Sequence, residues 1–445
     1  MKTVIIGGVA GGLSAASQIK REDHGAQVIV LEKSGDVSYA ACGMPYNLFY
    51  KDKPVEDLYA LSLADIRKER GIDYRLRHEA VAINPARKEV TVVDHELSLE
   101  YREGYDFLVY ATGNQPNRLS LPGFDDADVF YFKTLDDTRL VKNIIYEKAP
   151  ANALLIGSGY TNLELVDVLY NMKITPVILE KSATILPAFA EEIRAKVLEK
   201  LEEKGIKLHT SVDITEKQGS MVRTTIGDFE ADMVVVSIGV KPNTALFSAA
   251  GGDLGVGGAV KVDRYLQTNL PNVFAAGDCA EHYVRQLGRN GYMPLGPVAN
   301  KQGRVAGSNI VNNNAMKEFY GIDQTAVFKF FDLTVATTGL SERQLQEKGV
   351  NYMKVHVDTP TRGAFPGGGT MRVLLLSEKR TGVLLGGQMI GQDVVAKRLD
   401  VLATGIYKQM TVFELAELDL SYSPLYSPVW DPLLIAANKA IKEVR

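Results

Sequence analysis

Short apolar runs stopped by glycines set the rhythm of this chain. Thr3–Ile6 is apolar or β-branched at every position and ends in Gly7-Gly8-Val9-Ala10-Gly11-Gly12. Leu13–Arg21 then reads as a helix, and Val28–Leu31 as a second apolar run closed by Glu32. Runs that are apolar throughout, rather than alternating, predict strands buried on both faces. The same order recurs: Ala153–Ile156 leads into Gly157-Ser158-Gly159-Tyr160-Thr161-Asn162, a helix runs on from Leu163, and Pro176–Leu179 ends at Glu180. Three further strands stop in the same way. Phe107–Ala111 is followed by Thr112-Gly113, Met233–Val236 stops at Ile238-Gly239 after Ser237, and Asn272–Ala276 is followed by Gly277-Asp278. Past Lys329 the pattern changes to short strands (Thr334–Thr337, Met371–Leu376, Gly382–Met389) mixed with helical stretches such as Asp393–Lys408.

Strand, glycine turn, helix, strand, acid is the order of a dinucleotide-binding unit, and each part has a task. Gly7 permits the tight turn, Gly8, Ala10 and Gly11 carry it on, and Gly12 lets the helix lie close on the strand. The helix start offers unpaired N–H groups to a pyrophosphate. Glu32, with Lys33 after it, stands where a ribose hydroxyl is held. In the second copy Gly157, Gly159, Tyr160, Glu164, Glu180 and Lys181 take these duties. Two departures show. Val9 occupies the place of the usual second glycine, and Asn162 that of the third, which predicts looser or shifted helix–strand packing. Thr112, Gly113 and Gly239 end strands where backbone approaches a ligand or crosses between domains. Asp278 follows a strand at the ligand edge, fit to hold a polyol hydroxyl, or else to cap a following helix. Ala299 joins the cofactor-contacting positions.

Composition narrows the partners. With 445 residues the chain is long enough for about three domains, and 46% hydrophobic with 23% charged residues is a globular balance. A net charge of −4 and a pI near 6.0 leave no field to draw nucleic acid or anionic lipid. No apolar run nears the roughly 20 residues that span a bilayer. Met1–Ile6 is too short for a secretory apolar region, so a cytoplasmic place is expected. Two cysteines, Cys42 and Cys279, make no disulfide framework, and the six histidines never fall at metal-ligand spacing.

The first unit, Ala111-Thr112-Gly113, the second unit and Gly277-Asp278 come in that order, and in this the whole chain resembles the flavoprotein disulfide reductases that bind two dinucleotides. The resemblance implies FAD on the first unit and NAD(P)H on the second. Lys329–Arg445 is similar to that family's interface domain and lacks a glycine phosphate loop, which implies a homodimer. The implied fold is α/β: two Rossmann-like, three-layer dinucleotide-binding domains plus a C-terminal α+β dimerisation domain. Residues 1–115 with 246–325 would bind FAD, 116–245 NAD, and 326–445 would form the interface.

Within that family Ser38-Tyr39-Ala40-Ala41-Cys42-Gly43-Met44-Pro45-Tyr46 narrows the chemistry. Ordinary members carry two cysteines a few residues apart, but neither Val37 nor Asn47 is a thiol here. A lone thiol oxidises to a mixed disulfide with a small thiol, or to a sulfenic acid. The first outcome is similar to the coenzyme A disulfide reductase branch, where Cys42 would cycle through Cys–S–S–CoA. The second is the NADH oxidase and peroxidase branch, cycling through a sulfenate. The peroxidases place a histidine in the first glycine turn, where this chain has Ala10, and Cys-Gly-Met-Pro-Tyr looks more like the coenzyme A branch. Cys279 reads as a buried core residue.

The same resemblance implies substrate contacts at Ser14, Gln18, Arg21, Ser38, Arg70 and Asn300, with both arginines as phosphate partners or, alternatively, solvated charges. It makes Tyr422, in Ser421–Pro428, a catalytic tyrosine that reaches the partner subunit's active site. The alternative is an interface aromatic held by a proline-rich turn. Where the family has tyrosines before Pro-Gly, this chain reads Ala364-Phe365-Pro366-Gly367, which leaves room for a CoA persulfide or polysulfide as substrate. Glu180 predicts NADH over NADPH, softened by Lys181. No appended sulfurtransferase domain is expected.

Overall fold

The computed structural model describes residues 1–444. The first repeat folds as β1 (Lys2–Ile6), α1 (Ala10–Glu22) and β2 (Gln27–Glu32). Helix α2 (Leu135–Lys148) leads to the second, β3 (Asn152–Ile156), α3 (Tyr160–Asn171) and β4 (Thr175–Leu179). Later come α4 (Gly296–Val311), α5 (Val395–Tyr407) and α6 (Pro432–Ile441). Both nucleotide helices start three residues before the predicted points, at Ala10 and Tyr160. The small or polar residues after each turn look like loop in the sequence, but they complete the first helical turn.

Each repeat is the centre of a five-stranded parallel sheet. In the first the order is Val273–Ala275, Phe107–Tyr110, β1, β2, Asp73–Leu76. In the second it is Lys207–His209, β4, β3, Met233–Val236, Val129–Phe130. The central strands β1 and β3 are buried at every position but the first, which explains their unbroken apolar runs. Asn272 takes a positive φ of 61°, so the Val273–Ala275 strand is shorter than the predicted Asn272–Ala276.

The C-terminal region is an antiparallel sheet of five strands: Ala326–Phe330, Leu333–Gly339, Leu384–Gly391, Thr370–Glu378 and Tyr352–Pro360. Helices α5 and α6 bury Leu402, Leu433 and Ala437 against Met353, Val373 and Met389. The predicted strand Gly382–Met389 runs instead over Leu384–Gly391, because Gly382 turns with φ +73°.

The chain divides into two compact units. One joins Met1–Asn117, Phe132–Tyr146 and Gly239–Ile322; the other joins Arg118–Tyr131, Glu147–Ile238 and the chain from Asp323 onward. Most of α2 therefore lies in the unit of the first repeat, although its sequence falls within 116–245.

Candidate functional site

The first cradle is built by what is missing from it. β1 ends at Ile6 and the chain turns at Gly7, whose φ of +96° L side chains rarely adopt. A Cβ on Gly12 would lie 1.8 Å from the Gly7 carbonyl oxygen, so α1 rests on the turn itself. A Cβ on Gly8 would lie 2.1 Å from the Tyr74 hydroxyl, which closes the cradle from β2's neighbour strand. Val9 at the N-cap makes no side-chain bond, whereas Thr411 and Ser341 cap their helices with reciprocal side-chain bonds. The N–H groups of α1's first turn, from Ala10 through Gly11 and Gly12, are thus left for an anion. Glu32, 6% exposed, accepts from the Gly8 N–H at 2.8 Å and from the Ser34 N–H at 2.9 Å. It fixes the turn with one lone pair on each oxygen and keeps the others for a ribose. Lys33 beside it is exposed.

The other end of this cradle gathers at the later strand ends. Thr112 Oγ1 donates to the Asn243 carbonyl at 2.7 Å, and Asn243 Nδ2 returns a bond to the Thr112 carbonyl at 3.0 Å. Gly239 accepts from the Asn117 N–H at 2.9 Å, pairing the strand after Gly113 with the one after Gly239. Asp278 accepts from Asn114 Nδ2 at 3.0 Å and lies 3.8 Å from Lys133 Nζ. Burial raises its carboxyl pKa, and Lys133 pulls back against that. The next element is the strand His282–Val284, so Asp278 caps no helix and that reading is withdrawn. Gly277 and Ala299 approach closely, with a Gly277 Cβ placed 3.5 Å from the Ala299 Cβ.

These residues fit FAD. The uncapped helix start suits its pyrophosphate, Glu32 a ribose, and Asp278 a polyol. The Tyr74 hydroxyl and Asn114 Oδ1 are buried without a partner, as polar atoms that await a ligand are.

The stretch singled out around the thiol lies in the same unit. Cys42 sits in a single 3₁₀ turn, Ala41–Gly43, that runs into the short helix Met44–Asn47, and it is exposed. Cys279 is fully buried, its thiol donating to the Tyr110 carbonyl at 3.3 Å, and burial pushes its pKa up to about 11. The two are not joined in a disulfide. The outer face of α1 carries most of the predicted substrate residues together. Ser14 Oγ donates to Asn300 Oδ1 at 2.6 Å, Arg21 to Gln18 Oε1 at 2.5 Å, and Arg70 to Ser17 Oγ at 2.7 Å. Arg21 is exposed and Arg70 half-buried. Ser38 differs: it is 5% exposed, and its carbonyl accepts from the Ala60 N–H.

The second cradle repeats the plan with one change. Gly157 turns with φ +94°, and Gly159 stands at the N-cap of α3 without a side-chain bond. Asn162, fully buried, donates through Nδ2 to the carbonyls of Ile156 at 2.9 Å and Gly157 at 2.8 Å. The expected looseness is therefore absent, because the amide fills and bonds the gap. Glu180 accepts from the Ser158 N–H at 2.9 Å, the Ser158 hydroxyl at 2.7 Å and the Ser182 N–H at 2.7 Å. Lys181 pairs with Asp213 at 2.9 Å, so its charge is already answered. Tyr160 stacks on Phe328 at 4.8 Å, and Glu164 follows it, half-buried, one turn along α3.

Tyr422 is 54% exposed in a run with Leu425, Tyr426, Val429 and Trp430, which are also exposed. Beneath them the buried Arg398 donates to Asp431 at 2.8 Å, to the Thr361 carbonyl at 3.0 Å and to Ser427 Oγ at 3.4 Å. Arg362 donates to the Leu425 carbonyl at 3.0 Å, and Phe365, 85% exposed, is three residues further on.

Sequence reasoning missed Tyr74, Asn114, Ser17, Lys133 and Asp213, none of which sits in a motif. The one available signal was Gly8, since a glycine not demanded by the turn marks a large neighbour. Among the described residues no group of acids, histidines and cysteines could hold a metal, and no helix is long and apolar enough to cross a membrane.

Residues 1–303 match the pyridine nucleotide-disulphide oxidoreductase family, and 325–432 its dimerisation domain. A coenzyme A disulfide reductase of Staphylococcus aureus is 30% identical over 447 residues, 99% of each chain. An NADH oxidase of Methanocaldococcus jannaschii is also 30% identical, over all of this chain and 99% of that protein. The structure of an NAD-dependent persulfide reductase from A. fulgidus superposes with a TM-score of 0.94 at 35% identity, over 99% of this chain and 83% of that one. The chain thus belongs to the pyridine nucleotide-disulphide oxidoreductase family, as an NAD(P)H-dependent flavoprotein oxidoreductase of the group that includes coenzyme A disulfide reductases, persulfide reductases and NADH oxidases.

Proposed function

We propose that the protein uses NADH to reduce coenzyme A disulfide, or a CoA persulfide or polysulfide, through a mixed Cys42–S–S–CoA disulfide. The observation that carries this reading is the pair of thiols. Cys42 is exposed, while Cys279 is sealed in the core, so an internal disulfide has no second sulfur. FAD bound in the first cradle supplies the two-electron relay from NADH to sulfur. Those two electrons break the mixed disulfide; coenzyme A leaves and Cys42 remains as thiolate. The thiolate attacks the next CoA–S–S–CoA, which forms a new mixed disulfide and expels a second CoA thiolate. For one disulfide, NADH and a proton, the products are two CoASH and NAD⁺.

Ser14, Gln18, Arg21, Arg70 and Asn300 support this by forming one polar, basic face on α1 and its neighbours, suited to the phosphates of coenzyme A. Gly7, Gly8, Ala10, Gly11, Gly12, Glu32, Asp278 and Ala299 would hold FAD, and Gly157, Gly159, Tyr160, Glu180 and Lys181 the nicotinamide. Two carboxylates, Glu180 and Asp213, flank the ribose end and favour NADH over NADPH. A homodimer formed through the dimerisation domain would let Tyr422 donate a proton to the leaving thiolate in the partner's site, and the cytoplasm supplies the reduced pool in which such a cycle runs.

The oxidase reading stays open on one observation, the equal identity to the M. jannaschii NADH oxidase. Intact mass spectrometry of the isolated protein separates the two. We expect an adduct of about the mass of coenzyme A on Cys42, removed by NADH. Oxygen addition alone, with oxygen consumption that needs no disulfide, overturns the reductase reading.

A further inference from the structure

We propose that α2 is a clamp that fixes the loop carrying Cys42, with Arg139 and Lys142 as positioning residues on either side of the cysteine. This rests on the reading of Cys42 as the reacting thiol. Arg139, Lys142 and Tyr146 recur at the spacing of one helix face, and all three point their donors into the segment from Asp36 to Glu56. Upstream of Cys42, Arg139 makes a bidentate contact with Asp36, 2.6 Å to Oδ1 and 3.0 Å to Oδ2, and it also reaches Glu56, past the cysteine, at 2.7 Å. The Tyr59 hydroxyl donates to the same Asp36 carboxylate at 2.7 Å. Burial would raise the Asp36 pKa, but the bonds from Arg139 and Tyr59 hold it below the usual range, so the pair stays charged.

Downstream, Lys142 gives its ammonium to Asn47 Oδ1 at 3.0 Å, to the Asn47 carbonyl at 3.3 Å and to the Lys53 carbonyl. Tyr146 donates to the carbonyls of Leu48 at 3.0 Å and Phe49 at 3.1 Å. Lys142 is 9% exposed, and burial lowers its pKa. Its partners are neutral oxygens, so the buried cation gains little net stability. What it gains is geometry: Asn47 and Lys53 are tied to one nitrogen, and the short turn of Cys42 is held from its far side as Asp36 holds it from the near side. A loop fixed at both ends presents its sulfur in one place, and misplacement by about 1 Å costs reactions of this kind roughly a hundredfold.

The test uses the flavin-loaded protein, treated with NADH to remove any adduct from Cys42, and its Lys142→Met, Lys142→Arg and Tyr146→Phe variants. The readouts are the rate of Cys42 alkylation by iodoacetamide against pH, the flavin spectrum, and kcat and KM for NADH. With flavin retained, Lys142→Met should lower kcat about tenfold, change KM for NADH less than about twofold, and move the alkylation midpoint by about half a pH unit or more. Lys142→Arg should recover most of this, and Tyr146→Phe should move each readout in the same direction by less. Should Lys142→Met fail to fold, Tyr146→Phe decides. Unchanged kcat and alkylation profiles in variants that keep flavin overturn the clamp. Absence of a CoA adduct in the unaltered protein overturns the reductase reading alone, because alkylation is read without substrate.

Discussion

In the first cradle the helix meets the turn through bare backbone, Gly12 on Gly7, while in the second Asn162 stands between them and bonds both Ile156 and Gly157. The acids differ in the same sense. Glu32 is buried with the Tyr74 hydroxyl close to Gly8, whereas Glu180 is half-buried and its neighbour Lys181 faces solvent with Asp213. One sequence pattern has been made into a tight socket and an open one. A socket closed by backbone contact suits a cofactor that stays; one bridged by a side-chain amide and rimmed by exposed charges suits a nucleotide that comes and goes each turnover.

The largest expected effect that would break this contrast is at Gly12. Gly12→Ala puts a methyl group 1.8 Å from a carbonyl oxygen, and relieving it by backbone shifts costs on the order of 3 kcal/mol. We expect protein purified without flavin colour; full flavin occupancy would show that the first socket is not closed as described. Next is acid. His282, in the unit of the first cradle, is 3% exposed with Nε2 unpartnered, and burial lowers its pKa from 6.5 to about 4. The unfolded chain then binds the extra proton more readily, so this stability is complete above pH 6.5 and is lost as pH falls toward 4, on the order of 3 kcal/mol in all. Thermal melting from pH 7 to 4 should show the loss, and His282→Asn should flatten it; parallel profiles for the two proteins would count against it. Smallest is Asn162→Gly, which removes two hydrogen bonds worth about 1 kcal/mol each while restoring the usual glycine. KM for NADH should rise a few-fold with flavin content unchanged, and a loss of flavin instead would erase the distinction between the sockets.

How much of this the sequence shows depends on the separation of the residues involved. The strands, glycine turns and closing acids are local: Thr3–Glu32 and Ala153–Glu180 contain the turn, the helix start and the acid of each cradle, so both are legible, whereas Tyr74 and Asp278, which close the first, lie far along the chain. The Cys42 stretch is legible for the same reason. What Glu32 and Glu180 hold is not, because their bonds run to the turn itself, to the Gly8 and Ser158 N–H groups and the Ser158 hydroxyl, and leave no distant partner to read. The clamp is hidden altogether. Arg139 and Lys142 look like ordinary charges on an amphipathic helix, and their partners lie about a hundred residues earlier. Ser38 illustrates the converse, a polar residue that the resemblance assigns to the substrate and that the fold leaves 5% exposed.

Arg398 has a consequence for anyone redesigning this enzyme's preference. By gripping the Thr361 carbonyl and Ser427 with Nη2 and Asp431 with Nε, it moors the Phe365 loop and the Tyr422 segment to a single post. Exchanges at either aromatic will be felt at the other, so the two must be varied as one mechanical part.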